Sequence, residues 1–372
     1  MTAIEGSRNP DLEFLLGEVA AAIQITPTQH KKASGHYHAV AKWLSDEGSP
    51  FAHLAIEIYP QGSMALETTV KPLDDRDFDL DFVCRISTTG WSADHLYAAV
   101  YNRLRDNDIY RPMLSMKKRC ICLSYQGDFH VDIIPAVPNP NGVDADDTNI
   151  LIPDRQISDW THSNPKGFVT WFKKKSEVLT LKRAQADAQI HPLPKLTAVA
   201  AKPPLAVAIQ LAKRMRDRMF GSHDDAPRSI LLTTLAGHAY GGSESVLTAM
   251  HDIAKGVDTF ATSDDHTLRN PTNPQELFSD GLTSSRIEKL QTLASELRSA
   301  VIRLSSTRGA PALQEELAKL FGERPAVIAV TKYGELLAER RENHTLTFGP
   351  TGLGVVTPAG ASRVKPHSYY GG

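Results

Sequence analysis

Along the first fifty residues the apolar positions recur with a helical period. Leu12, Leu15, Leu16, Val19 and Ile23 share one face of a helix predicted over residues 11–25. After the break Thr26-Pro27-Thr28, the spacing of Tyr37, Val40, Ala41 and Leu44 predicts a second helix, which Gly48 and Pro50 stop. The period then shortens to two. Residues 55–59 alternate as a short strand that runs into Gln61-Gly62-Ser63, and from Asp77 to Phe82 carboxylates and apolar residues alternate strictly. In such a strand Phe78, Leu80, Phe82, Cys84 and Ile86 point into a core, while Asp77, Asp79 and Asp81 share the other face. A helix is predicted over residues 92–105. Two strands follow, 119–125 and 129–134, joined at Gln126-Gly127-Asp128. On the second, Phe129, Val131 and Ile133 share the core face, Asp132 lies opposite, and Pro135 closes the strand. Residues 138–147 read as a surface loop carrying Asp144, Asp146 and Asp147.

From Trp171 onward helical spacing dominates. It is clearest over 205–216, 229–240 and 284–304, with a turn at Asn270-Pro271-Thr272-Asn273-Pro274. Beyond about Arg341 the periodicity fades into a tail rich in Gly, Pro, Thr and Ser that ends on Gly371-Gly372. The pattern therefore predicts an α+β chain in four stretches: N-terminal helices over 1–47, a strand-bearing core over 48–170, a helical lobe over 171–340 and a tail over 341–372.

At 372 residues, 41% hydrophobic and 23% charged, the chain has the composition of an ordinary globular protein with more than one core. Its formal net charge of -2 argues against a bulk electrostatic nucleic-acid binder. No apolar run reaches the roughly 18 residues that would span a bilayer, and Met1 to Gly6 lacks the basic and apolar regions of a signal peptide, so a cytoplasmic protein is expected. Three cysteines (Cys84, Cys120 and Cys122) with no C-x-x-C pair read as reduced thiols. The basic runs Lys117-Lys118-Arg119 and Lys173-Lys174-Lys175 read as solvated faces.

The acidic strand carries the chemistry. Carboxylates in a row repel, and a strand that bears them needs a cation to offset the repulsion. An EF-hand is excluded, because the sixth and twelfth positions counted from Asp77 are Phe82 and Thr88 rather than Gly and Glu. No P-loop is present. Two carboxylates on one strand and a third on its neighbour suit a phosphoryl-transfer site that holds two Mg²⁺ about 3.5–4 Å apart. The Gly-Ser turn just upstream suits a triphosphate, since Gly62 allows close backbone approach and Ser63 can donate to phosphate oxygens. The plainer alternative is a set of solvated aspartates on an exposed sheet face.

Gly62-Ser63, then Phe78-Asp79-Leu80-Asp81-Phe82, then Val131-Asp132-Ile133 resembles the polymerase-β-type nucleotidyltransferases. Within that superfamily the chain resembles the bacterial cGAS/DncV-like nucleotidyltransferases (CD-NTases) of cyclic-oligonucleotide antiphage signalling. Tyr59-Pro60-Gln61, Asn164-Pro165-Lys166-Gly167-Phe168, the run from Ala208 to Arg214, and the Asn270 to Pro274 turn extend the likeness over roughly residues 10 to 320. The resemblance implies a polymerase-β-like lobe, a mixed sheet with flanking helices, and a helical C-terminal lobe that closes a catalytic cleft. It implies that Asp79, Asp81 and Asp132 are catalytic and bind Mg²⁺, with Mn²⁺ a substitute, and that Asp77 lies outside the working set. Gln61, Gly62 and Ser63 would hold the donor triphosphate, with Lys213 and Ser229 reaching it from the helical lobe. For Lys213 the plain alternative is a solvated helix cation, and for Ser229 a helix N-cap. Asp280 is a candidate reader of a base edge.

The implied reaction condenses nucleoside triphosphates, ATP first and GTP second among the candidates, into a cyclic di- or trinucleotide that acts on a downstream effector. Rival functions are template-free addition of nucleotides to a linear chain, RNA or protein, and a catalytically silent nucleotide-binding regulator. The resemblance also makes Gly372 a candidate conjugation site for an E1/E2-like ligase. No Cys/His cluster supports activation by DNA, and no membrane partner is expected.

Overall fold

The computed structural model describes residues 9–73, 78–88, 90–125, 129–141, 148–177, 193, 195–221, 223–343 and 345, together with the short strands 347–349, 352–354 and 362–363. Asp77, the 126–128 turn, Asp144, Asp146, Asp147 and Gly371-Gly372 lie outside the described residues.

The two N-terminal helices are α1 (Pro10–Ile23) and α2 (Pro27–Ser45). The Asn9 side chain accepts from the backbone of Asp11 and Leu12 at the start of α1, and Thr26 and Gln29 form a reciprocal capping box at the start of α2. Next come β1 (Ala55–Pro60), a single turn α3 (Gly62–Ala65), β2 (Phe78–Ser87) and α4 (Ala93–Arg105). Five strands follow: β3 (Leu114–Met116), β4 (Ile121–Tyr125), β5 (Phe129–Pro138), β6 (Ile150–Asp154) and β7 (Asp159–Ser163). They join β1 and β2 in one sheet of order β1-β2-β5-β4-β3, with β6 pairing the far end of β5 and β7 pairing β6. Only β2 and β5 run parallel; the other pairs are antiparallel.

The alternation read from the sequence works as a sorting device. Leu80, Phe82, Cys84 and Ile86 of β2 and Phe129, Val131 and Ile133 of β5 enter one core with Tyr37, Val40 and Leu44 of α2 and Leu96, Val100 and Leu104 of α4. The opposite face carries the carboxylates and faces the rest of the molecule.

That remainder is α5 (Pro165–Ser176), α6 (Pro204–Phe220), α7 (Ser229–Ala239), α8 (Val246–Thr262), the hairpin β8 (Arg269–Asn270) and β9 (Asn273–Leu277), α9 (Ser284–Ser306), α10 (Ala310–Phe321) and α11 (Glu323–Glu342). These helices bury a second core, which α1 also enters through Leu12, Leu15, Leu16 and Val19. The Glu13 carboxylate accepts from the Ser245 hydroxyl and from the Val246 and Leu247 backbone N–H groups, so α1 caps α8. The N-terminal pair thus divides its burial: α1 belongs to the helical core and α2 to the sheet core. Helix α5 crosses residue 171, and its Phe168 and Phe172 pack in the helical core.

Two expectations need correction. Strands β3, β6 and β7 are not legible in the sequence, because runs of three to five residues carry too little alternation and Pro153 interrupts β6. The stretch after Arg341 is not wholly irregular: β10 (Thr347–Gly349) pairs β11 (Gly352–Gly354) and β12 (Ser362–Arg363), in segments too short for periodicity to register. Among the described residues no helix is long and apolar enough to cross a membrane, and all three cysteines are free.

Candidate active site

The parallel register of β2 on β5 aligns Asp81 with Asp132, and Asp79 stands two residues along the same face of β2. The backbone N–H of Gln61 donates to the Asp81 carbonyl at 2.9 Å, which draws the following turn over the carboxylate. Gly62 sits at φ +62°, and a Cβ there would lie 2.4 Å from Asp81 Oδ2. Glycine is therefore required twice at this position, for its backbone conformation and for the space. Burial, together with the charges of Asp132 and Asp79, pushes Asp81 up to about 7, while Lys117 and Lys213 pull it back.

On the other strand Lys117 Nζ stands 2.9 Å from both carboxylate oxygens of Asp132, and Cys120 Sγ donates to Asp132 Oδ2 at 3.4 Å. Burial works against the charge on Lys117, but the hydrogen bonds and charge of Asp132 outweigh it and hold its pKa above the usual lysine value. The residues suit a divalent cation in their chemistry. Three carboxylates are a hard oxygen donor set, and an ammonium already stands where a cation is called for. Among the described residues no three His, Cys, Asp or Glu side chains converge on one point in this arrangement.

A polar cavity of about 270 Å³ opens on the Asp79 side, between Ser63, the 68–73 loop, and Lys213, Arg216 and Ser229. Its wall is held by the helical lobe. Lys202 donates to the Glu67 carbonyl at 2.6 Å, Lys213 to Thr68 Oγ1 at 2.9 Å, Gln210 to the Thr69 carbonyl at 2.8 Å and Arg214 to the Lys71 carbonyl at 2.9 Å. Glu67 itself has φ +58°, at the end of the α3 turn. Burial and the Arg216 charge lower Lys213 to about 7, against the opposite pull of Asp217 and Asp81, and burial lowers Lys202 to about 8.

A second cavity of about 400 Å³ opens on the Asp81 side. Ile134, Ile152 and Phe168 give it an apolar floor, and Arg119, Arg228 and Glu276 give it polar edges. Arg119 is held by Asp154 at 2.8 Å, and Arg228 donates to the carbonyls of Phe278 and Asp280, each at 2.6 Å. Glu276 accepts from Ser163, the Asn164 backbone and Asn270, which fastens the β8–β9 hairpin to the end of β7.

The structure brings together Asp79, Asp81, Asp132, Gln61, Gly62, Ser63, Lys213 and Ser229 around these two cavities. Several details differ from the sequence reading. Lys213 is not a solvated helix cation; it is 5% exposed. Ser229 is the first residue of α7 rather than its cap, and its hydroxyl accepts from Arg216 at 2.7 Å. The run Lys117-Lys118-Arg119 is solvent-exposed as expected, with side chains 44%, 40% and 37% exposed, but its head groups are engaged: Lys117 reaches Asp132 while Lys118 and Arg119 reach the buried Asp154. Asp280 lies 4.0 Å from Arg119 at the rim. Sequence reasoning missed Arg216, Arg119, Arg228, Gln210 and Lys202. For Gln210 and Arg216 the available signal was the density of long polar residues within α6, a helix otherwise apolar at its buried positions; Arg119, Lys202 and Arg228 lie outside any helix or strand and carried no such signal.

Residues 15–176 match the profile of the Second Messenger Oligonucleotide or Dinucleotide Synthetase domain. The chain is 30% identical to a c-di-GMP synthase of Roseivirga ehrenbergii over 99% of both proteins. It is 26% identical to the cyclic dinucleotide synthase CdnG of Bradyrhizobium diazoefficiens, over 94% of this chain and 89% of that protein. The solved structure of the Bradyrhizobium diazoefficiens CD-NTase CdnG in complex with GTP superposes with a TM-score of 0.68 at 26% identity, covering 87% of this chain and 98% of that one.

Proposed function

The chain belongs to the bacterial cGAS/DncV-like nucleotidyltransferases, and on that footing we propose that it joins two molecules of GTP into cyclic di-GMP, releasing pyrophosphate at each step, as an antiphage signal. The observation that carries this reading is the parallel register that sets Asp81 beside Asp132, with a polar cavity on one side and an apolar-floored cavity on the other. A triphosphate and a base need those two environments, and the reacting phosphorus lies between them.

Asp79, Asp81 and Asp132 would hold divalent cations, taken here as Mg²⁺ with Mn²⁺ a substitute, which when bound neutralise phosphate charge and ease deprotonation of the acceptor hydroxyl. The chain's own part is to bind and orient. Gly62 lets the backbone approach the α-phosphate closely, and Ser63 donates to phosphate oxygens. Lys213, Arg216 and Ser229 supply cationic and hydroxyl donors to the outer phosphates from the helical lobe. The apolar floor excludes water from the base. The hydroxyl of one nucleotide attacks the α-phosphorus of the other, pyrophosphate leaves, and a second such attack closes the ring; positioning and charge stabilisation do most of the work.

The preference for GTP is supported by the two arginines at the cavity edge. A guanidinium donates to guanine O6 and N7, whereas adenine presents an amino group in place of O6. The test is incubation of purified protein with labelled nucleoside triphosphates and Mg²⁺ or Mn²⁺. A guanine-only product that resists phosphatase is expected. Phosphatase-sensitive linear chains would contradict ring closure, and incorporation of adenine at equal rate would contradict the base assignment.

A further inference from the structure

Lys117 has no part in the reaction as described, yet it makes a direct charged contact to one of the three carboxylates, Asp132. Its Nζ is equidistant, at 2.9 Å, from both oxygens of Asp132, the face-on position a cation takes on a bidentate carboxylate. The placement is built rather than incidental. Lys117 lies in the turn between β3 and β4, where its N–H donates to the Cys120 carbonyl at 3.0 Å. Its own carbonyl accepts from the Tyr97 hydroxyl at 3.1 Å, and that hydroxyl also reaches the Cys120 carbonyl at 2.7 Å. The Arg155 N–H donates to the Lys118 carbonyl at 3.0 Å, and Lys118 and Arg119 both grip Asp154. None of these anchors involves Asp132, so the ammonium can leave the carboxylate without loosening the turn.

The ion pairs of this turn differ in how many cations each carboxylate has. Asp154 is 2% exposed and is held by two cations, Lys118 and Arg119, whose side chains are 40% and 37% exposed. The Lys117 side chain is 44% exposed, against 13% for Asp132, so this pair is open to solvent on the cation's side and closed on the carboxylate's. An exposed ammonium on one nearly buried carboxylate is easily displaced, because water receives it at small cost. The charge of Lys117 also helps to offset the repulsion that Asp79 and Asp132 impose on Asp81, beside Lys213, which is turned onto Thr68.

We propose that Lys117 is a built-in counter-ion that holds Asp132 in the nucleotide-free protein and yields it to an incoming divalent cation. The proposal rests on the reading of Asp132 as a metal ligand. Arg119 and Cys120 of the same turn line the apolar-floored cavity, so the displaced side chain departs from a wall of the site itself. Lys117 acts through Asp132 and is a positioning residue.

The experiment measures Mn²⁺ binding to the full chain without nucleotide, by the loss of the free-ion paramagnetic resonance signal. Lys117→Met removes the competitor, and its Mn²⁺ dissociation constant should fall roughly three- to tenfold, the scale of a partly exposed ion pair. Lys117→Arg keeps the charge and should stay near wild type, and thermal unfolding without metal shows that both variants fold. Unchanged affinity in Lys117→Met would reduce the contact to a surface ion pair, and weakened affinity would make Lys117 a support of the metal site; either result overturns the proposal. Asp132→Asn separates this inference from its premise. If that variant loses Mn²⁺ while Lys117→Met is unchanged, only the counter-ion role falls. If Asp132→Asn binds Mn²⁺ as wild type does, the metal-ligand reading falls and the counter-ion role goes with it.

Discussion

The two cavities that meet at the carboxylates hold their cations in opposite ways. On the Asp79 side Lys202 and Lys213 are buried against backbone carbonyls and a threonine hydroxyl, and burial drives both well below the usual lysine pKa. On the Asp81 side Arg119 is neutralised by Asp154, and Arg228 is tied to two carbonyls. The first arrangement leaves amines whose charged form is disfavoured by burial and would be stabilised by an incoming anion, which suits a phosphate site. The second fixes two planar donor groups in place, which is the property of a site that reads a base edge. The two sides of one strand pair thus offer different chemistry, a buried amine on one and fixed guanidinium groups over an apolar floor on the other.

The severest way to break that comparison is to remove what both sides share. Asp79→Asn with Asp81→Asn should lower product by more than about 10³-fold, below detection in the labelled assay, whichever cavity is occupied. Undiminished turnover would mean the site is misplaced. Gly62→Ala comes next. Its Cβ collides with Asp81 Oδ2 and strains a left-handed backbone position, so kcat should fall roughly 10²-fold with little change in thermal unfolding.

Lys213→Met tests the polar side alone and should raise KM for GTP about tenfold while leaving the choice of base untouched. The pKa supplies a second readout. Burial holds Lys213 near 7, so above that pH the free protein has lost the proton and a bound phosphate must restore it. GTP binding at pH 8 should therefore take up a proton, measured by calorimetry in buffers of different ionisation heat, and affinity should weaken as pH rises; Lys213→Met should show no uptake. The sign for folding is consistent: between about 7 and the ordinary lysine pKa near 10.4 the unfolded chain binds a proton the folded chain lacks, so this group's contribution to stability falls as pH drops through that window. Arg119→Met sharpens the other side. Competition between GTP and ATP should show discrimination reduced roughly tenfold, within the 1–3 kcal/mol of a good bidentate contact, with no effect on proton uptake.

The carboxylates were legible because a period of two leaves no choice: once Leu80 and Phe82 enter the core, Asp79 and Asp81 must leave it. Gly62 was legible as a turn but not as the cover of Asp81, since that contact depends on the β1–β2 pairing. Lys202 and the α6 side chains that grip the 67–71 segment were invisible for a related reason. Their partners lie some 135 to 145 positions away in sequence and are mostly backbone carbonyls, which no residue pattern marks. Lys117 and Arg119 looked like one basic run, yet the β3–β4 turn sends them to two different aspartates. Local pattern reveals which face a residue takes, whereas lobe packing decides what it meets.

The carboxylate row divides phosphate binding on one side from base reading on the other, and a crystal structure with a non-hydrolysable GTP analogue and Mn²⁺ decides whether it does. The triphosphate is predicted against Ser63, Lys213 and Ser229, the guanine over the Phe168 floor beside Arg119 and Arg228, and the metal's anomalous signal at Asp79, Asp81 and Asp132. A triphosphate lodged against Arg119 and Arg228, or metal density away from those aspartates, would contradict it.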